Sequence, residues 1–187
     1  MTELPRFGQL GALAGAAELR PIQIDELSTV RYIHAASLRL HAAQVLSEEE
    51  VEAFTQHVYA ASYSENLLRQ SLLGSYIDRE LVGTAGWTVA DDVGSSVRLR
   101  SIFVRPLFTG MGLGTRLVHA IEASARAAGF VSYSIRATVN ATGFFEHLGY
   151  TVTSHGVRPL FGQKTLPVVF MRKTDHHAAW PAQQPSG

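Results

Sequence analysis

Three glycines stand at alternate positions in Thr109-Gly110-Met111-Gly112-Leu113-Gly114-Thr115, after an apolar run that ends at Val104. Pro106 lacks the N–H that a strand ladder needs, so the strand stops there. A helical apolar stripe starts at Leu113 and Leu117. Glycine allows positive φ and carries no Cβ to hold a ligand away from the main chain. The first N–H groups of a helix have no carbonyl partner, and the helix dipole adds partial positive charge beside them. A strand, a glycine loop and a helix start in this order therefore make a cradle for an anion, phosphate above all. The same residues also suit a glycine-rich turn that holds nothing, and the run alone does not choose.

The spacing rules out two phosphate loops. A dinucleotide loop needs Gly-x-Gly-x-x-Gly, but its last position is Thr115 counted from Gly110 and Leu117 counted from Gly112. A triphosphate loop needs Gly-x-x-x-x-Gly-Lys, but Thr115 stands at the second glycine and no Lys follows. The form that fits is x-x-x-Gly-x-Gly over Thr109 to Gly114, after Val104-Arg105-Pro106. It resembles the acyl-CoA pyrophosphate loop of the GNAT superfamily of N-acyltransferases.

A second stretch lies one helix and one strand further on: Asn140-Ala141-Thr142-Gly143-Phe144-Phe145-Glu146-His147-Leu148-Gly149-Tyr150. On its own it is a short helix that Asn140 can cap and Gly149 can end, with Phe144 and Leu148 one turn apart as core. It is similar to the family's Asn-Ala-x-x-Phe-Tyr-x-x-x-Gly-Phe/Tyr segment, where the helix packs on the far end of the pantetheine arm. Two weak motifs in the family's order make a strong pair. The likeness covers roughly residues 19–174 in element order and is specific over 97–150.

The elements that must position these motifs follow from periodicity. Leu19 to Ile24 reads as a strand, and Asp25 can cap a helix from about Glu26 to Gln44 with Val30, Ile33, Ser37 and Leu40 as its buried stripe. His34 and His41 share a face of that helix; they could line a substrate cleft, but a solvated or partly packed face is the favoured reading. Ser47 and Glu50 form a capping box for a helix with Val51, Phe54, Thr55 and Val58 inside. His57, Tyr59 and Tyr63 follow as packing or surface residues near a cleft wall, and Glu65 to Gln70 reads as a short turn of helix. Ser71–Ile77 and Leu81–Val89 pair through Asp78-Arg79-Glu80, and Val97–Val104 joins them after a turn at Asp91 to Ser96. In that last strand the polar parity of Arg98 and Arg100 becomes apolar at Ile102 and Val104. Either the strand end is buried on both sides, or a bulge near Ser101 shifts the phase. A helix with Leu113, Leu117, Val118, Ile121, Ala125 and Ala128 inside ends at Gly129, and Phe130–Val139 is a strand parallel to Val97–Val104. Thr151–Gly156 and Val168–Arg172 close the sheet around a loop carrying Arg158, Phe161 and Lys164.

Composition bounds the function. The chain of 187 residues suits one domain, and equal counts of 16 basic and 16 acidic side chains give no field for nucleic acid or an anionic membrane. No basic patch in the sequence calls for an acidic substrate. There is no cysteine, which excludes a disulfide, a thiolate metal site and a cysteine acyl-enzyme. This fits a cytoplasmic location. No apolar run nears the ~20 residues of a membrane span. Residues 1–18 read as a flexible extension, 19–174 as the domain and 175–187 as a loose tail. His176 and His177 fall in that tail, and no metal-ligand spacing stands out elsewhere.

The resemblance implies an α/β (α+β) fold: a mixed, mostly antiparallel sheet of six to seven strands flanked by helices, with a central parallel pair splayed at the CoA site. It implies transfer of an acetyl or other acyl group from acetyl-CoA to a primary amine of a small molecule or peptide, with no metal; a homodimer stays open. The cofactor contacts it implies are Ile102, Phe103 and Val104 on the strand edge, Thr109, Gly110, Met111, Gly112, Leu113, Gly114 and Thr115 in the cradle, and Asn140 and Phe144 on the short helix. The Phe103 backbone N–H is the expected oxyanion donor. Two departures stand out. Thr109 replaces the Arg or Gln that opens the family's cradle, so charge is expected from Arg105 or Arg116. Phe145 replaces a Tyr that serves many members as acid, and phenylalanine has no proton to donate. Glu65, His41 and His155 are candidates for a catalytic base by their place in the expected fold. An acyl-CoA-binding module without turnover is the alternative.

Overall fold

The structure is a computed structural model, which describes residues 15–42, 46–90, 95–159 and 165–175. The turn at Asp91, the side chains of Phe161 and Lys164, and His176 and His177 lie outside the described residues.

Seven strands form one sheet: β1 (Glu18–Pro21), β2 (Ser71–Ile77), β3 (Glu80–Val89), β4 (Val97–Val104), β5 (Ser132–Thr138), β6 (Thr151–Pro159) and β7 (Thr165–Thr174), in spatial order β1-β2-β3-β4-β5-β7-β6. Every neighbouring pair is antiparallel except β4 and β5. The helices are α1 (Leu27–Ala42), α2 (Glu48–Tyr59), α3 (Ala61–Leu68), α4 (Leu113–Ala127) and α5 (Thr142–His147). This is the mixed sheet that the sequence implied.

On one face α4 lays Leu117, Val118 and Ile121 against Val97, Leu99, Tyr133 and Ile135. This is the stripe expected from the 3.6-residue period, but Ala128 falls past the last turn and is exposed. On the other face α1 and α2 pack together through Ala35, Leu38, Phe54 and Val58. The Ser47–Glu50 capping box is made, with Ser47 N–H to Glu50 Oε2 at 2.8 Å. Because α1 lies between the sheet and α2, its buried arc is wider than one stripe and takes in His34, Ala35 and Leu38, while Leu40 is 49% exposed.

Several boundaries move. Asp25 does not cap α1; a 3-10 turn at Ile24–Glu26 precedes the helix, closed by Gln23 and Glu26. The helix expected at Glu65–Gln70 starts earlier, at Ala61, because Ala60 is extended and breaks it from α2. The final hairpin runs through Arg158↔Leu166 and Pro159↔Thr165, so both ends of the expected loop are strand.

The phase change in β4 is a bulge. Thr84 pairs with Phe103 and Gly86 with Arg100, so Ser101 and Ile102 together face Ala85. Ser101 takes φ of 55°, in the left-handed region. Its carbonyl accepts the Thr84 hydroxyl at 2.6 Å and its own hydroxyl donates to Gln70 Oε1 at 2.8 Å, which fixes the kink.

Candidate functional site

β4 and β5 pair only at Val97↔Tyr133 and Arg98↔Ser134. Beyond those two rungs they part, and β4 carries an open edge on the β5 side up to Val104. The ladder with β3 tells which groups lie on that edge. Arg105 N–H donates to Val82 C=O at 2.8 Å, so Arg105 and, two residues back, Phe103 turn their N–H toward β3. The intervening N–H groups, of Val104 and Ile102, face the cleft. Strand alternation thus turns the Phe103 amide, the expected oxyanion donor, toward the sheet.

The glycine loop closes the outer end of this cleft. A 3-10 turn at Pro106–Phe108 ends β4, with Thr109 N–H bonded back to Pro106 C=O. Gly110 and Gly112 have φ of 81° and 79°, and a Cβ on either would meet nothing within 4 Å. Their glycines are needed for the backbone turn, and the space before them is open. Arg116 N–H to Gly112 C=O is the first backbone bond of α4. The N–H groups of Leu113, Gly114 and Thr115 ahead of it have no carbonyl within the helix. Met111 and Leu113 anchor the loop by packing with Ala17 and Val82. At Gly114 the reason differs: a Cβ would stand 3.3 Å from the Phe144 ring, so the absence of a side chain lets α5 close on α4.

Both arginines expected to bring charge to the cradle are engaged elsewhere. Arg105 pairs with Glu80 at 2.9 Å, and Arg116 donates to the Ala17 carbonyl at 3.0 Å. The cradle thus relies on main-chain donors.

From the bulge inward the cleft opens into a cavity of about 560 Å³, lined among others by Ser101, Ile102, Phe103, Thr109, Asn140 and Phe144. On α5 the two phenylalanines differ in exposure, and Phe144 stands where a cofactor contact was expected. Phe144, read as core, is 37% exposed and faces the cleft, while Phe145 is 5% exposed. The Phe145 ring stands edge-on to Tyr150 at 5.8 Å. Asn140 caps no helix; it sits in a 3-10 turn, and its Nδ2 donates to the His41 carbonyl at 3.1 Å, tying the end of β5 to α1.

Of the three candidates for a base, His41 lines the cavity, whereas Glu65 and His155 are exposed and outside its wall. The structure corrects the reading of His34 as solvated or partly packed and gives it partners the sequence did not single out. His34 is wholly buried under the Phe103 ring, 4.2 Å between centroids. Its Nε2 lies 2.7 Å from Thr84 Oγ1 and its Nδ1 2.8 Å from the Tyr63 hydroxyl. Thr84 gives its only proton to Ser101, so it must accept from His34 Nε2–H, which leaves Nδ1 to accept from Tyr63 O–H. Burial lowers the His34 pKa to about 3 and raises that of Tyr63 to about 12, so both are neutral at pH 7. The chain of bonds runs from the cavity wall at Tyr63 to the bulge carbonyl.

Four arginines also line the cavity: Arg98 and Arg100 on β4, Arg136 on β5 and Arg158 on β6. No Asp or Glu is among its described lining residues. Arg158 donates to His57 Nε2 at 3.3 Å, and burial first, then the Arg158 charge, holds His57 below its ordinary value.

The acetyltransferase (GNAT) domain, as a sequence family, matches residues 42–174. The chain belongs to this GNAT acetyltransferase family. The "Uncharacterized protein YyaT" of Bacillus subtilis (strain 168) is 29% identical over 98 residues, 52% of this chain and 62% of that relative, so the match spans less than two thirds of it. A solved GCN5-related N-acetyltransferase structure from Rhodopseudomonas palustris, described as "Aminotransferase, Class-II", superposes with a TM-score of 0.75 at 25% identity, over 84% of this chain and 95% of that one. The PaiA N-acetyltransferase of Thermoplasma acidophilum, solved in complex with coenzyme A, gives a TM-score of 0.63 at 20% identity, over 84% and 98%. At that identity the likeness speaks for the fold.

Proposed function

We propose that the protein transfers an acyl group, acetyl first of all, from acyl-CoA to a primary amine of a small molecule. The observation that carries this reading is the continuity of one cleft. It runs from Thr109, next to the cradle, along the open edge of β4 and past the bulge into a cavity of about 560 Å³. Coenzyme A would supply a diphosphate for the cradle and an activated thioester at the bulge. The solved PaiA relative holds coenzyme A in the same fold.

The residues of this chain then divide the work. The N–H groups of Ile102 and Val104 face the cleft and are placed to donate to an acyl oxygen as it gains charge. The neutral amine nitrogen bonds to the acyl carbon as the C–S bond breaks, and the proton it sheds passes to water and on to solvent. Tyr63 has committed its own proton to His34, so its oxygen can accept one hydrogen bond from the amine and aim it. Phe145 supplies no proton, so a thiolate, already a good leaving group, departs without an acid from α5.

A reading as an acyl-CoA-binding module draws on Phe145 and on the lack of a described carboxylate in the cavity wall. One experiment separates the readings. Calorimetry with acetyl-CoA is paired with thiol release over a panel of amines. Binding with release supports transfer, and binding with no release from any amine supports the module. Gly112→Glu forces a side chain into positive φ and puts a carboxylate in the cradle. The expected loss of affinity is about 100-fold or more. Undiminished binding in a folded Gly112→Glu variant removes the cradle from both readings.

A further inference from the structure

The arginines sit at the opposite end of the cleft from the cradle. Arg98 and Arg100 precede the bulge and the glycine loop follows it. At about 3.3 Å per residue, Arg98 and Val104 are roughly 20 Å apart along the strand. The two arginines are two residues apart, so they share a face of β4. Arg98 is level with Ser134, so Arg136, two further along β5, belongs to that face as well. Arg158 reaches the same space from β6, its guanidinium over the Phe54 ring at 5.5 Å. These residues come from three strands and 61 positions of sequence, yet they line one cavity.

Nothing described in the protein neutralises them. The ion pairs of the described residues engage Arg20, Arg39, Arg105, Arg126 and Lys173, and none of the four cavity arginines. Burial pushes Arg98, Arg100 and Arg158 below the ordinary arginine value, and the Arg136 charge pushes each further. The fold therefore holds several like charges together at a cost, in a space shaped for a ligand. An arginine fork is made for oxygen anions, since its N–H donors match carboxylate and phosphate geometry. A cationic acceptor such as a polyamine would be repelled from this wall.

We propose that the end of the cavity away from the cradle, bounded by Arg98, Arg100, Arg136 and Arg158, takes an anionic group of the acceptor, a small primary amine that also carries a carboxylate or a phosphate. The proposal rests on the acyl-transfer reading for the word acceptor. The binding site itself can be measured without turnover.

The test is calorimetry on the full chain, with and without coenzyme A. Matched probes are aspartate against asparaginamide and phosphoethanolamine against ethanolamine, with spermidine as the cationic control. The two pairs distinguish a carboxylate site from a phosphate site. The anionic member of at least one pair is expected to bind about tenfold tighter or more than its uncharged-group counterpart. Arg100→Met and Arg158→Met are each expected to erase most of that preference, with coenzyme A affinity held within about twofold as a check on folding. Equal binding within both pairs, tighter binding of spermidine, a preference that survives both variants, or no binding of either anionic amine overturns the proposal. Absence of coenzyme A binding sinks the acyl-transfer reading instead, and leaves the anion measurement to be judged on its own.

Discussion

On the α4 face, Glu122 is 4% exposed, and Lys173 Nζ lies 2.9 and 2.8 Å from its two oxygens while the Tyr150 hydroxyl donates at 2.7 Å. On the opposite face, Arg98, Arg100, Arg136 and Arg158 surround a cavity with no carboxylate among its described lining residues. Glu122 is kept from water, whereas Arg98, Arg100 and Arg158 are half-buried and Arg136 is exposed. The first region meets its charge from within the chain, as a part of the core must. The second leaves like charges facing one another, which a fold does not need and a ligand can use. The contrast separates residues that hold the protein together from residues that hold something else.

The largest expected effect tests the core side. Glu122→Leu strands the Lys173 ammonium and the Tyr150 hydroxyl in a half-buried place and is expected to cost about 3 kcal/mol, read from the urea midpoint. Adding Lys173→Met should restore most of that loss, because removing both charges removes the imbalance. A single variant that costs under about 1 kcal/mol would mean that solvent reaches the triad and that the two faces are less different than their geometry says.

A smaller effect lies between the two faces, at His34. Its folded pKa, about 3, is below the unfolded value near 6.5, and burial is the cause. Protonation therefore favours the unfolded chain. The stability it contributes is full above pH 6.5 and is lost as pH falls from there toward 3. By pH 5 the loss is about 2 kcal/mol. His34→Gln keeps a donor for Thr84 and an acceptor for Tyr63 but does not titrate, so the difference between the two urea–pH profiles isolates this histidine. Profiles that run parallel from pH 7 to 5 would show that His34 is not buried and neutral.

Much of this was legible in the sequence, for local reasons. The cradle needs positive φ at Gly110 and Gly112, and only glycine meets that need cheaply, so it shows as a pattern. The bulge shows as a phase change because side chains alternate along a strand. The Ser47–Glu50 box shows because both partners are three residues apart. What stayed hidden depends on elements meeting across the fold. His34 stands four residues after Val30 and three before Ser37, on the stripe of α1, but only the closeness of β3 and α3 reveals its partners. The arginine wall was invisible in a chain whose charges sum to zero, since its members are scattered over β4, β5 and β6.

The smallest expected effect is a near absence of one, and it carries the comparison's other half. Among the described residues Arg100 makes no hydrogen bond or ion pair that a substitution would break, and both burial and the Arg136 charge work against its charged form. Arg100→Met keeps the bulk of the stem and removes the charge. The folded protein should be as stable as the parent, or more stable by up to about 0.5 kcal/mol, in the same urea experiment that registers Glu122→Leu. A residue that binds tightly to an anion and contributes nothing to folding is what a recognition group looks like energetically. Were Arg100→Met to cost more than about 1 kcal/mol, its guanidinium would have to be satisfied within the chain, and the wall of arginines would become structure like Lys173 rather than a surface waiting for a ligand.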